Sequence, residues 1–148
     1  MKYEEYYTWQ ENIPGFGREA QEKLRDSTAL VSRVGGLGGP LAFSLAAAGV
    51  GRIILAHGGE LRPDDLNRQI LMRHAGLGSL RHEQAAETLR RFNRDLQIES
   101  VGENISEGNA GDLVGEADIV FSCAPLFEER LLMNREAMRQ GKYFVDGA

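Results

Sequence analysis

The sequence predicts an α/β protein whose sheet is mostly parallel and doubly wound. Short apolar runs alternate with segments in which apolar residues recur at helical spacing. Strands that are separated by helices need crossover connections, and these connections place helices on both faces of the sheet. The 148 residues contain no internal repeat and no low-complexity linker, so we expect a single globular unit.

The elements follow in order along the chain. The segment NIPGFGREAQEKLRD has a Pro-Gly turn before a short helical stretch, so residues 1–27 are predicted to form an N-terminal arm. Residues 28–148 form the predicted sheet domain. Its apolar runs predict strands at 28–34, 51–57, 97–103, 117–123 and 142–148. Its helical patterns predict helices at 39–49, 80–96 and 129–141.

The final predicted strand, at residues 142–148, is expected to lie near the centre of the sheet. A central strand of a parallel sheet is covered on both faces by other elements, and this sequence ends with that strand. We therefore expect either that a partner covers this side of the sheet or that the domain lacks a C-terminal portion.

A glycine-rich loop follows the first predicted strand, in the run LVSRVGGLGGP at 30–40. The dinucleotide-binding pattern G-x-G-x-x-G falls here on Arg33, Gly35 and Gly38, with Gly36 added. The retained glycines and the following helix predict a Rossmann-like loop that can hold phosphate groups. The Cβ atom of Arg33 disfavours a positive φ, and its side chain must either lie where a nucleotide would lie or swing away.

The acidic residue that binds ribose hydroxyls about 20 positions after such a loop is absent. The second strand ends at Ala56-His57-Gly58-Gly59, and the next carboxylate is Glu60. An alternative therefore stays open, in which the glycines only permit a tight turn. His57 faces the expected crevice, where it either titrates near neutral pH or occupies the loop without a ligand.

Composition excludes several classes of function. The formal net charge of −5 and the lack of a basic stripe argue against nucleic-acid binding. No apolar run reaches the roughly 18 residues of a membrane span, so we expect a cytoplasmic protein without a membrane partner. Cys123 is the single cysteine, and we interpret it as a buried thiol at a strand end rather than a nucleophile. The histidine spacing predicts no metal site.

Several segments together resemble the ThiF/MoeB/HesA family of ubiquitin-activating-enzyme-like adenylyltransferases. In order, they are NIPGFGREAQEKL, GGLGGPLAFSLAAAGVGRIIL, DDLNRQIL, AGLGSLRHEQAAETLRRFN and ADIVFSC…FVDGA, and they span nearly the whole chain. The run LNRQIL at 66–71 is the most specific of them. The resemblance implies that ATP and Mg²⁺ are bound and that the C-terminus of a ubiquitin-like sulfur carrier or peptide is adenylated by a dimeric enzyme.

The resemblance also implies the nucleotide-binding residues. They belong to the glycine loop and to the segments after the second strand: Gly35, Gly36, Gly38, Asn67, Arg68, Gln69 and Arg81. Arg81 matches a lysine of the family and keeps its positive charge. A wider arginine cluster, formed by Arg62, Arg68, Arg73 and Arg81 with Arg33 at its rim, is either solvated surface charge or a site for a phosphate or carboxylate tail.

Other positions depart from the family pattern. The arginine that family members contribute across the dimer falls on Trp9, and the aspartates after the second strand fall on His57 and Gly59. The metal-binding aspartate falls on Pro125, which has no side-chain oxygen to offer Mg²⁺. We therefore predict a domain related to ATP-dependent adenylation in which catalysis is impaired and no catalytic residue or metal ligand is assigned.

Two alternatives remain open beside impaired adenylation. The first is a non-catalytic binding or scaffold subunit that recognises a carrier protein or an active homologue in a homo- or heterodimer. The aromatic residues of the arm suit either that interface or docking on the chain's own core: Tyr6, Tyr7, Trp9 and Phe16. The second is a nicotinamide- or flavin-dependent oxidoreductase, which Arg33 and the missing strand-end acid disfavour.

Overall fold

The computed structural model of the protein describes residues 3–147. Residues 1, 2 and 148, which belong to the predicted arm and the last predicted strand, lie outside this range. The strands are β1 (Thr28–Ser32), β2 (Arg52–Ala56), β3 (Gln97–Val101), β4 (Ile119–Ser122) and β5 (Tyr143–Asp146). The helices are α1 (Tyr3–Tyr6), α2 (Thr8–Glu11), α3 (Gly17–Asp26), α4 (Gly38–Ala48), α5 (Arg81–Phe92), α6 (Ala110–Gly115) and α7 (Phe127–Gln140).

The five strands form one parallel sheet in the order β3-β2-β1-β4-β5. This arrangement confirms the predicted Rossmann-like α/β fold, in which β1 is central and the chain crosses from one side of it to the other. The strand order reverses between β1 and β4, which pair from Ala29 with Ile119 to Ser32 with Ser122. In open sheets of this kind, ligands bind outside the carboxyl ends of the strands at that switch point.

Two apolar layers bury the two faces of the sheet. Because successive side chains of a strand alternate in direction, Ala29 and Val31 belong to one layer, and Leu30 belongs to the other. The first layer is completed by α3, α4 and α5, with Leu89 fully buried. The second is completed by α6 and α7, with Met133 fully buried. The helices therefore lie on both faces, as the sequence predicts.

The N-terminal arm docks on this core. Gln10 and Gln21 both donate hydrogen bonds through Nε2 to the carbonyl of Ala48, at the end of α4, over 3.0 Å. Tyr7 is buried, and its hydroxyl accepts a hydrogen bond from Asn93 after α5. The arm therefore closes over one end of α4 and α5. Trp9, by contrast, is 89% exposed.

Some predicted boundaries differ from the structure for local reasons. The first strand ends at Ser32 rather than residue 34, since Arg33 adopts a left-handed backbone conformation. Helix α5 ends at Phe92 rather than residue 96 because Asn93 turns to an extended conformation, where its amide donates to the carbonyl of Ala46. The short helix α6 was not predicted, and Val114 within it is fully buried.

The last strand, β5, does not occupy a central position within the described residues. β5 pairs with β4 alone among residues 3–147 and forms an edge of the sheet. Tyr143 and Val145 on this strand are exposed. Within the same range, no helix is long and apolar enough to cross a membrane.

Candidate nucleotide crevice

The glycine loop lies at the switch point of the sheet and leads from β1 into α4. Gly38 begins α4, so the helix N-terminus stands directly after the loop. A Cβ atom on Gly38 would lie 2.4 Å from the backbone oxygen of Arg33, which is far inside contact distance. Only glycine fits there, and this meets the role of the third glycine in the pattern, close packing of helix on strand.

Arg33 occupies the first position of the loop with a φ of 62°. Its Cβ atom makes this conformation cost about 1–2 kcal/mol, but the residue adopts it nonetheless. Its amide continues the sheet by donating to the carbonyl of Ala56 over 2.8 Å, and its own carbonyl accepts from the amide of Gly35 over 2.8 Å. The turn keeps its glycine geometry while it carries a long cationic side chain.

The Arg33 side chain forms an ion pair with Glu129 in the first turn of α7. Nε lies 3.2 and 3.0 Å from the two carboxylate oxygens, and Nη2 lies 2.7 Å from Oε2. Both side chains are largely buried, with 18% of Arg33 and 5% of Glu129 exposed. The pair joins the loop after β1 to the helix after β4. It therefore bridges the two elements between which the strand order reverses.

The segment after β2 lies against the glycine loop, as the sequence predicts. A Cβ atom on Gly35 would lie 3.6 Å from Nε2 of Gln69, and one on Gly36 would lie 3.1 Å from Cγ of Arg68. Gln69 is buried, whereas Asn67 and Arg68 are both exposed to solvent. The predicted nucleotide residues of the loop and of LNRQIL thus share one crevice.

Asp65 organises this segment, although it is not among the residues predicted from the sequence. Its carboxylate accepts hydrogen bonds from Arg81 Nη2 at 2.7 Å, Gln69 Nε2 at 2.6 Å and the backbone amide of Arg62 at 3.0 Å. Burial raises the pKa of Asp65, but the Arg62 amide and the Arg81 guanidinium outweigh it and hold that pKa below its ordinary value. Asp65 is therefore ionised and fixed.

This arrangement restrains the predicted arginines. Arg81, of whose side chain 14% is exposed, is committed to Asp65. Arg68 donates to the carbonyl of Asp64 at 2.7 Å and also lies 3.5 Å from Asp65. Arg62 is exposed and pairs with Asp64. Two adjacent aspartates thus pair with two of these arginines, Arg62 and Arg81, a feature that the DD of DDLNRQIL could have indicated.

His57 stands at the end of β2, in the place of the missing strand-end acid. It is 7% exposed, and within residues 3–147 its Nδ1 atom has no hydrogen-bond partner. Burial, followed by the charges of Arg81 and Arg33, lowers its pKa from 6.5 to about 4. The prediction that His57 could titrate near neutral pH is therefore wrong. The imidazole is neutral at pH 7 and supplies no negative charge for a ribose.

Two carboxylates of the crevice are committed to arginines, Glu129 to Arg33 and Asp65 to Arg81. Among residues 3–147, no three His, Cys, Asp or Glu side chains are grouped so that they could hold a metal ion. Glu129, one of the two carboxylates nearest the Pro125 position in sequence, is already engaged by Arg33. At nucleotide sites Mg²⁺ is held by one or two carboxylates together with phosphate oxygens, so its binding with ATP stays a prediction and no chemical step through a metal is derived for this chain.

Beside the ion pair lies a cavity of about 670 Å³. Its wall combines the loop after β3 with α7, and it includes Ile105, Leu131 and Leu132 as apolar surface. Arg33 and Glu129 border the same space. The volume lies in the range of small-molecule sites, so the ion pair is part of a binding-sized cavity rather than of a closed core.

Cys123 follows β4 directly and is buried, as predicted. Burial, with a smaller effect from Asp146, raises the pKa of its thiol to about 11. A neutral, buried thiol is a poor nucleophile. Cys123 is therefore a packing residue at the edge of the crevice.

An open parallel sheet with a glycine loop at its switch point defines a Rossmann-like fold of the nucleotide-binding class. Residues 7–148 match the family model described as the ThiF family. The chain therefore belongs to the ThiF family, and the family resemblance noted in the sequence is confirmed.

Individual relatives agree with this assignment. The protein HesA of Leptolyngbya boryana is 46% identical over 144 residues, which are 97% of this chain and 52% of the relative. The adenylyltransferase and sulfurtransferase MOCS3-1 of Zea mays is 33% identical over 136 residues, or 92% of this chain and 29% of the relative. The chain spans about half the length of the HesA proteins that it matches.

The fold also matches a solved structure. The E. coli tRNA N6-threonylcarbamoyladenosine dehydratase TcdA, in complex with ATP, aligns with a TM-score of 0.90 at 20% identity, over 97% of this chain and 59% of that one. This likeness concerns the fold. Together, the comparisons describe a ThiF-family domain related to adenylyltransferases.

Proposed function

We propose that this domain recognises the C-terminus of a ubiquitin-like carrier protein or peptide in a crevice related to ATP-dependent adenylation, and that its own adenylation activity is impaired. The observation that carries the proposal is the buried ion pair between Arg33 and Glu129 at the switch point. In this fold the switch point is where a ligand binds. Here, two of the protein's own side chains meet across it.

The surrounding crevice supports impaired adenylation. Adenylation places negative charge on phosphate groups and needs preorganised cations to stabilise it. Arg33 is neutralised by Glu129, and Arg81 is neutralised by Asp65. His57 is neutral where a ribose-binding carboxylate is expected. ATP would therefore meet a glycine loop of suitable backbone geometry whose two most buried arginines are already paired, with Arg68 as the exposed cation beside Gly36.

The proposed carrier partner follows from family membership. The maize relative is named as an adenylyltransferase, and the family resemblance implies a carrier or peptide carboxylate as the acceptor. The apolar wall near Leu131 and Leu132 gives an extended peptide a surface to contact. Because the chain spans about half of its HesA relatives, this proposal concerns the protein that contains the domain as well as the domain itself.

Carrier-dependent exchange of labelled pyrophosphate into ATP tests the proposal. The purified protein is mixed with a ubiquitin-like sulfur carrier, ATP and Mg²⁺, with the maize relative as the positive control. Binding of the carrier is measured in parallel by calorimetry. We expect saturable carrier binding and exchange close to the rate without protein. Exchange at the rate of the positive control would show that catalysis is intact and would overturn the proposal.

The scaffold alternative predicts an additional result. The exposed Trp9 and Ile13 on the arm offer an apolar surface for a second subunit. If the domain pairs with an active homologue, the mixture of the two should exchange pyrophosphate faster than the homologue alone. An unchanged rate in the mixture would count against a scaffold role and leave carrier recognition by the single chain.

A further inference from the structure

At the switch point, Glu129 contacts Arg33 with the geometry that a bound carboxylate or phosphate ligand would adopt. A guanidinium group presents a planar fork of donors that matches the two oxygens of a carboxylate or of a phosphate group. In this protein Glu129 fills that fork, with contacts from Nε to both oxygens and from Nη2 to Oε2. The site that could receive an external oxyanion thus already holds an internal one.

The placement of the two residues makes this pairing specific to the crevice. Arg33 replaces the first loop glycine, at the tight turn two residues before Gly35, the position whose backbone approaches the pyrophosphate in this fold. Glu129 enters from α7 on the opposite side, and both border the cavity of about 670 Å³. A surface salt bridge would be solvated, but only 5% of the Glu129 side chain is exposed.

Other charged groups at the cavity do not replace Glu129 as the counter-ion. Arg135 pairs with Glu107 over 3.0 Å on the exposed rim. Glu128 lines the cavity without an ion pair to Arg33. If the charge of Glu129 were removed, Arg33 would remain as a buried cation beside the cavity, and an entering anion would supply its partner.

We infer that Glu129 is an internal competitor for phosphate-bearing ligands. Its carboxylate occupies, on Arg33, the position that a phosphate group of a nucleotide or of free pyrophosphate would take. This carboxylate therefore lowers the affinity of the crevice for such anions. The inference rests on the proposed function, because it concerns the ligand class of the same crevice.

Calorimetric titration of matched variants with ATP, and separately with pyrophosphate, tests the inference. Glu129→Gln keeps the size and polarity of the side chain but removes the competing charge. Glu128→Gln makes the same charge change one residue earlier, in a residue that lines the same cavity. We expect Glu129→Gln to bind tighter than the unmodified protein by about tenfold or more, while Glu128→Gln stays within about threefold.

A second pair of variants keeps the test decisive. Glu129→Asp retains the charge but withdraws it by one methylene, and we expect it to give a smaller gain. Adding Arg33→Gly to Glu129→Gln should abolish the gain, and glycine suits the φ of 62° at that position. Circular dichroism confirms that each variant is folded before titration.

The two probes and the four variants give different results for each explanation. A gain with both probes supports recognition of the phosphate anhydride itself, and a gain with ATP alone supports a nucleotide. No gain in Glu129→Gln and Glu129→Asp overturns the inference, and so does a gain that survives the loss of Arg33. The proposed function fails on a different result, namely pyrophosphate exchange by the unmodified protein, so the two failures are distinguishable.

Discussion

Arg33 combines an unfavourable backbone conformation with a favourable side-chain contact. Its left-handed conformation costs about 1–2 kcal/mol for a residue with a Cβ atom. The bidentate pair with Glu129 holds the side chain in one position and gives the buried carboxylate a partner. Local strain of this kind persists where surrounding contacts determine the conformation. The residue is therefore stable at a position where the motif favours glycine.

His57 makes stability depend on pH. Its pKa is about 4 in the folded protein and 6.5 ordinarily, so the unfolded chain binds more protons between these values. The free energy of unfolding is therefore highest above about pH 6.5 and falls as the pH drops towards about 4. We expect His57 to contribute about 3 kcal/mol to this loss. Urea denaturation at about pH 7.5 and about pH 4.5 measures it.

Two variants isolate the histidine. His57→Gln cannot be protonated, so it should lose about 3 kcal/mol less than the unmodified protein over this range. His74→Gln changes an exposed histidine in a single 3₁₀ turn and should keep the full loss. An equal acid sensitivity in His57→Gln and the unmodified protein would show that other groups cause it.

The sequence indicates some residues of the crevice but misses their partners. Gly35 and Gln69 follow the ends of β1 and β2, and Arg81 begins α5, so their convergence follows from the parallel sheet. Asp65 and Glu129 gain their roles from side chains that only the folded chain brings near. Glu129 meets Arg33 across 96 residues, and no local pattern encodes that contact. Whether the predicted residues bind a nucleotide stays a prediction.

At the level of elements, the turn from β1 into α4 depends on one glycine more than on its neighbours. A Cβ atom on Gly38 would meet the backbone oxygen of Arg33 at 2.4 Å, and backbone cannot rotate away. On Gly35 the nearest atom would be the Gln69 side chain at 3.6 Å, an ordinary contact. Both glycines have φ values open to other residues, so steric contact alone distinguishes them.

We therefore expect Gly38→Ala to lower the free energy of unfolding by about 3 kcal/mol or more, through overpacking and displacement of α4. Gly35→Ala should change it by less than about 1 kcal/mol. Urea unfolding of both variants at neutral pH provides the comparison. A similar loss in the two would mean that chain flexibility, rather than the contact with Arg33, determines the role of these glycines.

Long periodic elements were predictable, while short ones and their ends were not. The strongly apolar runs gave β1, β2 and β4, and amphipathic spacing gave α5, because these patterns reflect burial on a defined face. Helix α6 has six residues in a glycine-containing segment, which is too short to show a helical pattern of apolar residues. The edge position of β5 depends on pairing order, which a single strand's composition does not contain.

For the whole molecule, the exposed face of the arm bears on assembly. Trp9 is the single tryptophan and is 89% exposed, while Ile13 is 53% exposed. We expect this face to form the dimer contact, with fluorescence of Trp9 shifting to shorter wavelength as protein concentration rises. Sedimentation run in parallel reports the mass.

Matched surface variants test that assignment. Ile13→Ser should weaken the dimer about tenfold, in the range of an interface residue of this size. Met138→Ser, which changes a 74% exposed residue on α7, should not weaken it. A dimer that forms without a change in Trp9 fluorescence, or that Met138→Ser disrupts instead, would place the contact elsewhere. Dimerisation itself stays a prediction.

The central position of β1 also has a consequence for how the chain reaches its fold. β1 can pair with β2 early, since Thr28 meets Arg52 soon after α4 is complete. Its other neighbour, β4, follows much later in the sequence. Asp118, directly before β4, accepts the amide hydrogen of Thr28 across 90 residues. Because long-range pairings form slowly, the half-sheet β3-β2-β1 should assemble first during synthesis. The crevice then closes last, and until α7 docks, Arg33 lacks Glu129 as its counter-ion.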